Sequence, residues 1–164
     1  MNETKIEWAD YRWNPVVGCK HGCWFCYAAV MNRRFKMIPD FTDPQFFINR
    51  LNHPSKFGKP GRVFVVSMGD LFGDWVPSVW ILTILNVVKQ YPQHTFMFLT
   101  KNHTRYFEFS FPENCMIGLP LNMLKGYIEL TPSKSYCECQ FVMIRRDQET
   151  QKAFCFSCKK PVKE

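Results

Sequence analysis

The chain has 164 residues, 46% of them hydrophobic and 21% charged, a globular profile with enough length for one core and a small appendage. Its longest apolar stretch, residues 76–88, is broken by Pro77, Ser78, Thr83 and Asn86 and is too short to cross a bilayer, and the N-terminal MNETKIEWAD has no export features. These features set the expectation of a cytoplasmic protein without a membrane partner, and the net charge of +7 permits a phosphate-bearing partner without requiring one.

In chain order, residues 13–19 (WNPVVGC) read as a short strand ending at the first cysteine, and residues 27–36 are helix-compatible through Ala28, Ala29 and Met31. Asp43 as N-cap and Pro44 at the first helical position predict a second helix carrying Phe46, Phe47, Ile48 and Leu51. After a loop rich in proline and glycine at 53–61, the valine-rich run at 62–68 has the continuous apolar character of a strand covered on both faces. Residues 76–91 carry apolar side chains at helical spacing and are closed by Pro92. Strands are predicted at 94–100 and 115–119, with a short helix at 104–109 between them. Such alternation implies an α/β fold with a parallel sheet, either open or part of a (β/α) barrel. From residue 121 the character changes, so residues 1–120 are expected to form the α/β unit and residues 121–164 a small separate one.

Eight cysteines without an export signal favour metal ligation over disulfides. Cys19, Cys23 and Cys26 form a C-x3-C-x2-C run. Thiolates so close can take three corners of a [4Fe–4S] cube and leave the fourth iron open for a small molecule. A structural zinc ion would want four ligands, with His21 as the candidate fourth, and plain structural thiols are the remaining reading. Gly22 supplies a tight turn inside the loop. Cys115, in the apolar run Cys115-Met116-Ile117, reads as a buried core thiol. Cys137 and Cys139, then Cys155 and Cys158, flank a predicted β-hairpin that would bring both pairs around one tetrahedral zinc, as in a zinc ribbon. The first of those pairs is one residue short of the usual spacing.

The three-cysteine spacing with Phe25 before the third cysteine, together with KIEWADYRWNPVVGCKHGCWFCYA, VFVVSMGDLFGDWVP and QHTFMFLTKN, resembles the radical S-adenosylmethionine superfamily. Within it the chain is similar, over about residues 1–118, to a phage-associated family of uncharacterised radical-SAM-like proteins. The resemblance implies a partial (β/α)6-type barrel with the cysteine loop at the C-terminal ends of the strands. It implies Cys19, Cys23 and Cys26 as ligands of a [4Fe–4S] cluster, S-adenosylmethionine on the open iron, radical chemistry on a substrate, and an electron donor such as a flavodoxin or ferredoxin. Where that superfamily has a Gly-Gly-Glu-like segment after the second strand, this chain has Ser67-Met68-Gly69-Asp70.

The resemblance and the residues meet on one rim, because Gly69-Asp70, Thr100-Lys101 and Gly118-Pro120 each follow a predicted strand. Asp70 is a candidate acceptor for an ammonium group or a cap for the next turn, and Lys101 a candidate partner for a carboxylate or phosphate. Trp8, Trp13, Trp24 and Phe25 are candidates to shield a cluster or stack on adenine. Two other functions stay open. One is a metal-stabilised nucleic-acid-binding module resting on Arg33, Arg34, Lys36, Arg50, Lys56, Lys59 and Arg62. The other is a truncated, inactive relative, since about four strand–helix units remain once a zinc-ribbon-like tail is set aside.

Overall fold

The computed structural model describes residues 3–120 and, as backbone strands, Phe141–Arg146, Ala153–Cys155 and Pro161–Val162. The elements of the first part are β1 (Tyr11–Trp13), β2 (Val16–Val17), α1 (Tyr27–Phe35), β3 (Gln45–Phe46), β4 (Arg62–Val65), α2 (Ser78–Lys89), β5 (Thr95–Leu99) and β6 (Cys115–Pro120). The three later strands are β7, β8 and β9.

The main sheet has the order β1-β4-β5-β6-β7-β8-β9. Its first four strands are parallel, with Trp13 opposite Val65, Phe64 opposite Met97 and Phe98 opposite Ile117. They are neighbours in chain order, so each crossover advances one strand in the same direction. The fold is thus mixed α/β around a four-stranded parallel sheet, as the alternation predicts. The pairing of β6 with β7, of β7 with β8 and of β8 with β9 is antiparallel, and β7 and β8 are the hairpin expected there. The side chains of Cys137, Cys139, Cys155 and Cys158, and with them the expected zinc site, lie outside the described residues. Among the described residues no helix is long and apolar enough to cross a membrane.

Strand alternation divides the buried residues between two faces. Val63 and Val65 of β4, with Phe96 and Phe98 of β5, pack with Ile81, Ile84, Leu85 and Val88 of α2 and with Phe72 and Tyr106. Phe64, Met97 and Met116 point the other way into a smaller cluster with Ala9, closed by Ile6, Trp8 and Leu99. Cys115 packs against the larger cluster as a half-buried thiol whose pKa burial pushes up to about 12.

Two expectations change. The strand at 13–19 is broken at Pro15, which has no N–H for a ladder. Trp13 stays in the main sheet, whereas Val16 pairs antiparallel with Phe46 in a separate two-stranded sheet. The second helix does not form, and β3 with 3-10 turns at Ile48–Arg50 and His53–Lys56 takes its place. Phe46 packs on the larger core and stacks on Trp80, with centroids 5.3 Å apart, while Phe47 packs in a different cluster with Val17 and Met68. Adjacent side chains that serve opposite sides suit an extended backbone and not one helical stripe. The Phe47 N–H also goes to the Pro15 carbonyl at 2.7 Å and is lost to any helix. The expected helix at 104–109 is a 3-10 turn, His103–Glu108.

Candidate functional site

The cysteine loop leaves β2 through Gly18, whose φ of +115° is costly for any other residue and whose position leaves no room for a Cβ, since one would lie 2.7 Å from the Cα of Pro44. The Gly18 N–H donates to the Met68 carbonyl at 3.0 Å, and a Cβ on Gly69 would come within 2.5 Å of the Gly18 carbonyl oxygen. Backbone is therefore laid directly on backbone, which fixes the root of the cysteine loop against the segment after β4. The Cys19 N–H is held by the Phe41 carbonyl at 2.8 Å, Gly22 turns the chain with a φ of +63°, and Cys26 is the N-cap of α1. All three thiols are half-buried and line one cavity of about 650 Å³. Its wall includes Phe25, Gly69, Asp70 and Lys101, all expected at the site, with Ile6, Trp8, Phe64 and Leu99 as an apolar side.

The opposite wall is held by Asp70, which is buried. Its Oδ1 accepts from the Phe72 N–H at 3.0 Å and the Thr100 hydroxyl at 2.6 Å, and its Oδ2 from the Lys101 N–H at 3.0 Å. His21 Nε2 lies 2.8 Å from the same Oδ2. A carboxylate has about four acceptor positions, and these four contacts use them. One side chain thus caps the turn after β4, binds the end of β5 and anchors the cysteine loop. His21 is directed at Asp70 and not at the thiols, which removes it as a fourth zinc ligand in this arrangement.

Just before Asp70 the strand ends abruptly, because Val66 has a φ of +55°. A β-branched residue in the left-handed region is strained by roughly 1–2 kcal/mol. It is held there by its N–H bond to the Trp13 carbonyl at 2.7 Å, while Asn14 Oδ1 accepts from the Ser67 hydroxyl and the Met68 N–H, both at 3.1 Å. The Tyr27 hydroxyl donates to the Ser67 carbonyl from the α1 side. Below the rim, buried Arg105 donates to the carbonyls of Gly73 and Val76 and so fixes the segment leading into α2.

Burial pushes the Cys19 thiol up to about 11, and Asp70, Cys26 and Cys23 add to the shift, against a hydrogen bond from the His21 backbone. A positive charge nearby favours the thiolate form of such a group. The chain contributes one such charge, since the Lys101 ammonium donates to Cys23 Sγ at 2.8 Å and stands 5.3 Å from the Phe25 ring centroid. Among the described residues no three His, Cys, Asp or Glu side chains gather to hold a single metal ion. A cubane cluster makes a different demand, because each of its thiolates binds a separate iron. Three thiols face one cavity, with the Lys101 ammonium beside Cys23.

Of the aromatic candidates, Phe25 and Trp8 line the cavity, and Trp8 packs edge-on to Phe64 at 4.8 Å. Trp24 projects outward at 93% exposure, 5.2 Å from Phe25. Trp13 is core: it is fully buried, its indole N–H donates to the Arg50 carbonyl at 2.7 Å, and its ring sits 5.7 Å from Phe96. Sequence reading missed Asn14, Tyr27 and Arg105, all of which act over long sequence separations, and placed Thr100 on the rim without its bond to Asp70. Thr100 alone carried a usable signal, as a small hydroxyl residue at the end of a strand on the rim.

The fold and site together define an α/β protein with a three-cysteine cavity at the C-terminal rim of a parallel sheet. The chain belongs to a family described as protein of unknown function (DUF5131), whose model matches residues 3–134. No curated protein and no solved structure matches the chain.

Proposed function

We propose that the protein is a radical-SAM-like iron–sulfur protein whose parallel strands form part of an open (β/α) barrel. The observation that carries this reading is the convergence of Cys19, Cys23 and Cys26 on one cavity at the C-terminal rim of consecutive parallel strands. In this reading Cys19, Cys23 and Cys26 would hold a [4Fe–4S] cluster, with S-adenosylmethionine as its partner. The cluster and S-adenosylmethionine supply one-electron chemistry that generates a carbon radical. The chain's own residues hold and shape that space. Lys101 sets a positive charge against the Cys23 sulfur, and Asp70 ties the loop through His21 to β4 and β5. The apolar wall of Ile6, Trp8, Phe64 and Leu99 limits water near a reactive species.

Anaerobic reconstitution with iron and sulfide tests the reading. The wild type is expected to take up iron with a sulfur-to-iron charge-transfer band that Cys23→Ala abolishes, and on reduction with S-adenosylmethionine to form 5′-deoxyadenosine. Failure to take up iron, or uptake indifferent to all three cysteines, overturns it.

A further inference from the structure

A second cavity, of about 250 Å³, lies beside β1 and is lined by Arg12, Asn14, Arg50 and His53 together with Met31, Met37 and Met68. No carboxylate lines it, and neither arginine takes part in an ion pair among the described residues. Arg50 is half-buried yet fixed, because its Nη1 donates to the Asn14 carbonyl at 3.1 Å and its guanidinium lies 3.8 Å over the Phe47 ring. Burial first, and then the charges of Lys56 and Arg50, push the His53 pKa down. Two guanidinium groups around one concavity with no carboxylate among its described lining residues are arranged to receive an anion. The planar fork of arginine matches the oxygens of a phosphate, and the methionines of the same lining accept an apolar or planar group attached to it.

We infer that this cavity is a binding site for a phosphate ester, the phosphate held by Arg12 and Arg50 and the organic group resting on Met31, Met37 and Met68. The site is distinct from the cysteine cavity, although Met68 places it next to the Gly69–Asp70 rim. The inference does not depend on the cluster reading.

Titration calorimetry on the full chain, with inorganic phosphate, thymidine 5′-monophosphate and a short oligothymidylate, tests it. Thymidine monophosphate or the oligonucleotide is expected to bind more tightly than inorganic phosphate, and preference between those two separates a free nucleotide from a strand. Arg12→Gln, at an exposed position, is expected to weaken binding by about tenfold. Arg50→Lys keeps the charge but removes the fork, and is expected to give a similar loss with an unchanged circular dichroism spectrum. Lys89→Gln, at the far end of α2, is the control for diffuse charge and is expected to change nothing. Absence of binding by all three probes, or equal losses from Arg12→Gln and Lys89→Gln, overturns the inference.

Discussion

The two faces of the parallel sheet are built from alternate residues of the same strands, yet they are used differently. On one face Val63, Val65, Phe96 and Phe98 meet the apolar stripe of α2 and a ring of aromatics around Phe72, whose centroids lie 5.9 Å from Phe98 and 4.7 Å from Tyr106. On the other, Phe64, Met97 and Met116 pack, among the described residues, with Ala9, Ile6, Trp8 and Leu99, and the cysteine cavity opens beside Phe64 and Leu99. A sheet packed equally on both faces would have no such cavity. Among the described residues the larger apolar cluster lies on one face, and the cysteine cavity borders the other at its C-terminal rim.

The comparison can be broken most severely on its thick face. Phe72→Ala removes a fully buried ring from the aromatic cluster and is expected to cost about 4 kcal/mol in denaturant unfolding. A loss under about 1 kcal/mol would mean that this face is not the main store of stability. Asp70→Asn joins the two faces less drastically. The amide cannot accept where its NH2 now lies, so buried donors lose their partner at a cost of about 2 kcal/mol. Hydrogen exchange should show the cysteine loop and the end of β5 loosening together, and loosening of one alone would deny Asp70 its joining role.

Acid should weaken the thick face through His94, which is buried with Nδ1 unpartnered and whose pKa burial holds below the ordinary 6.5. The unfolded chain binds the proton first, so stability present above pH 6.5 is lost as pH falls below it, by at most about 1.4 kcal/mol per unit for this group. Half-buried His53 adds a loss of the same sign. Melting temperature followed from pH 7.5 to 5.5 should fall in the wild type and fall less in His94→Gln; equal slopes would remove the attribution. The smallest effect belongs to the thin face. Trp8→Ala takes a half-buried ring from the cavity wall and is expected to cost about 1 kcal/mol, leaving the hydrogen exchange of α2 unchanged.

Much of this was legible in the residues. The valine run of β4, the apolar spacing of α2, the strands β5 and β6 and the helix α1 follow from patterns a few residues long. Each needs only local periodicity and a burial partner of the right kind. The helix expected after Asp43 failed because two neighbouring phenylalanines are claimed by different clusters, which no local pattern records. The same holds at the site. The C-x3-C-x2-C spacing names the thiols, but His21 meets Asp70 across 49 residues and Lys101 meets Cys23 across 78.

The sequence by itself determined the alternation of strands and helices, and so the parallel sheet, because hydrophobic period and turn residues act locally. It also determined that three thiols leave one loop at the end of a strand. Only the tertiary structure decided that Asp70 is committed to the chain's own donors, that Trp13 is core, and that Arg12 and Arg50 share a cavity with no carboxylate among its described lining residues. Those outcomes depend on which distant backbone lies against which, and Gly18 and Gly69 allow that approach only because neither carries a side chain.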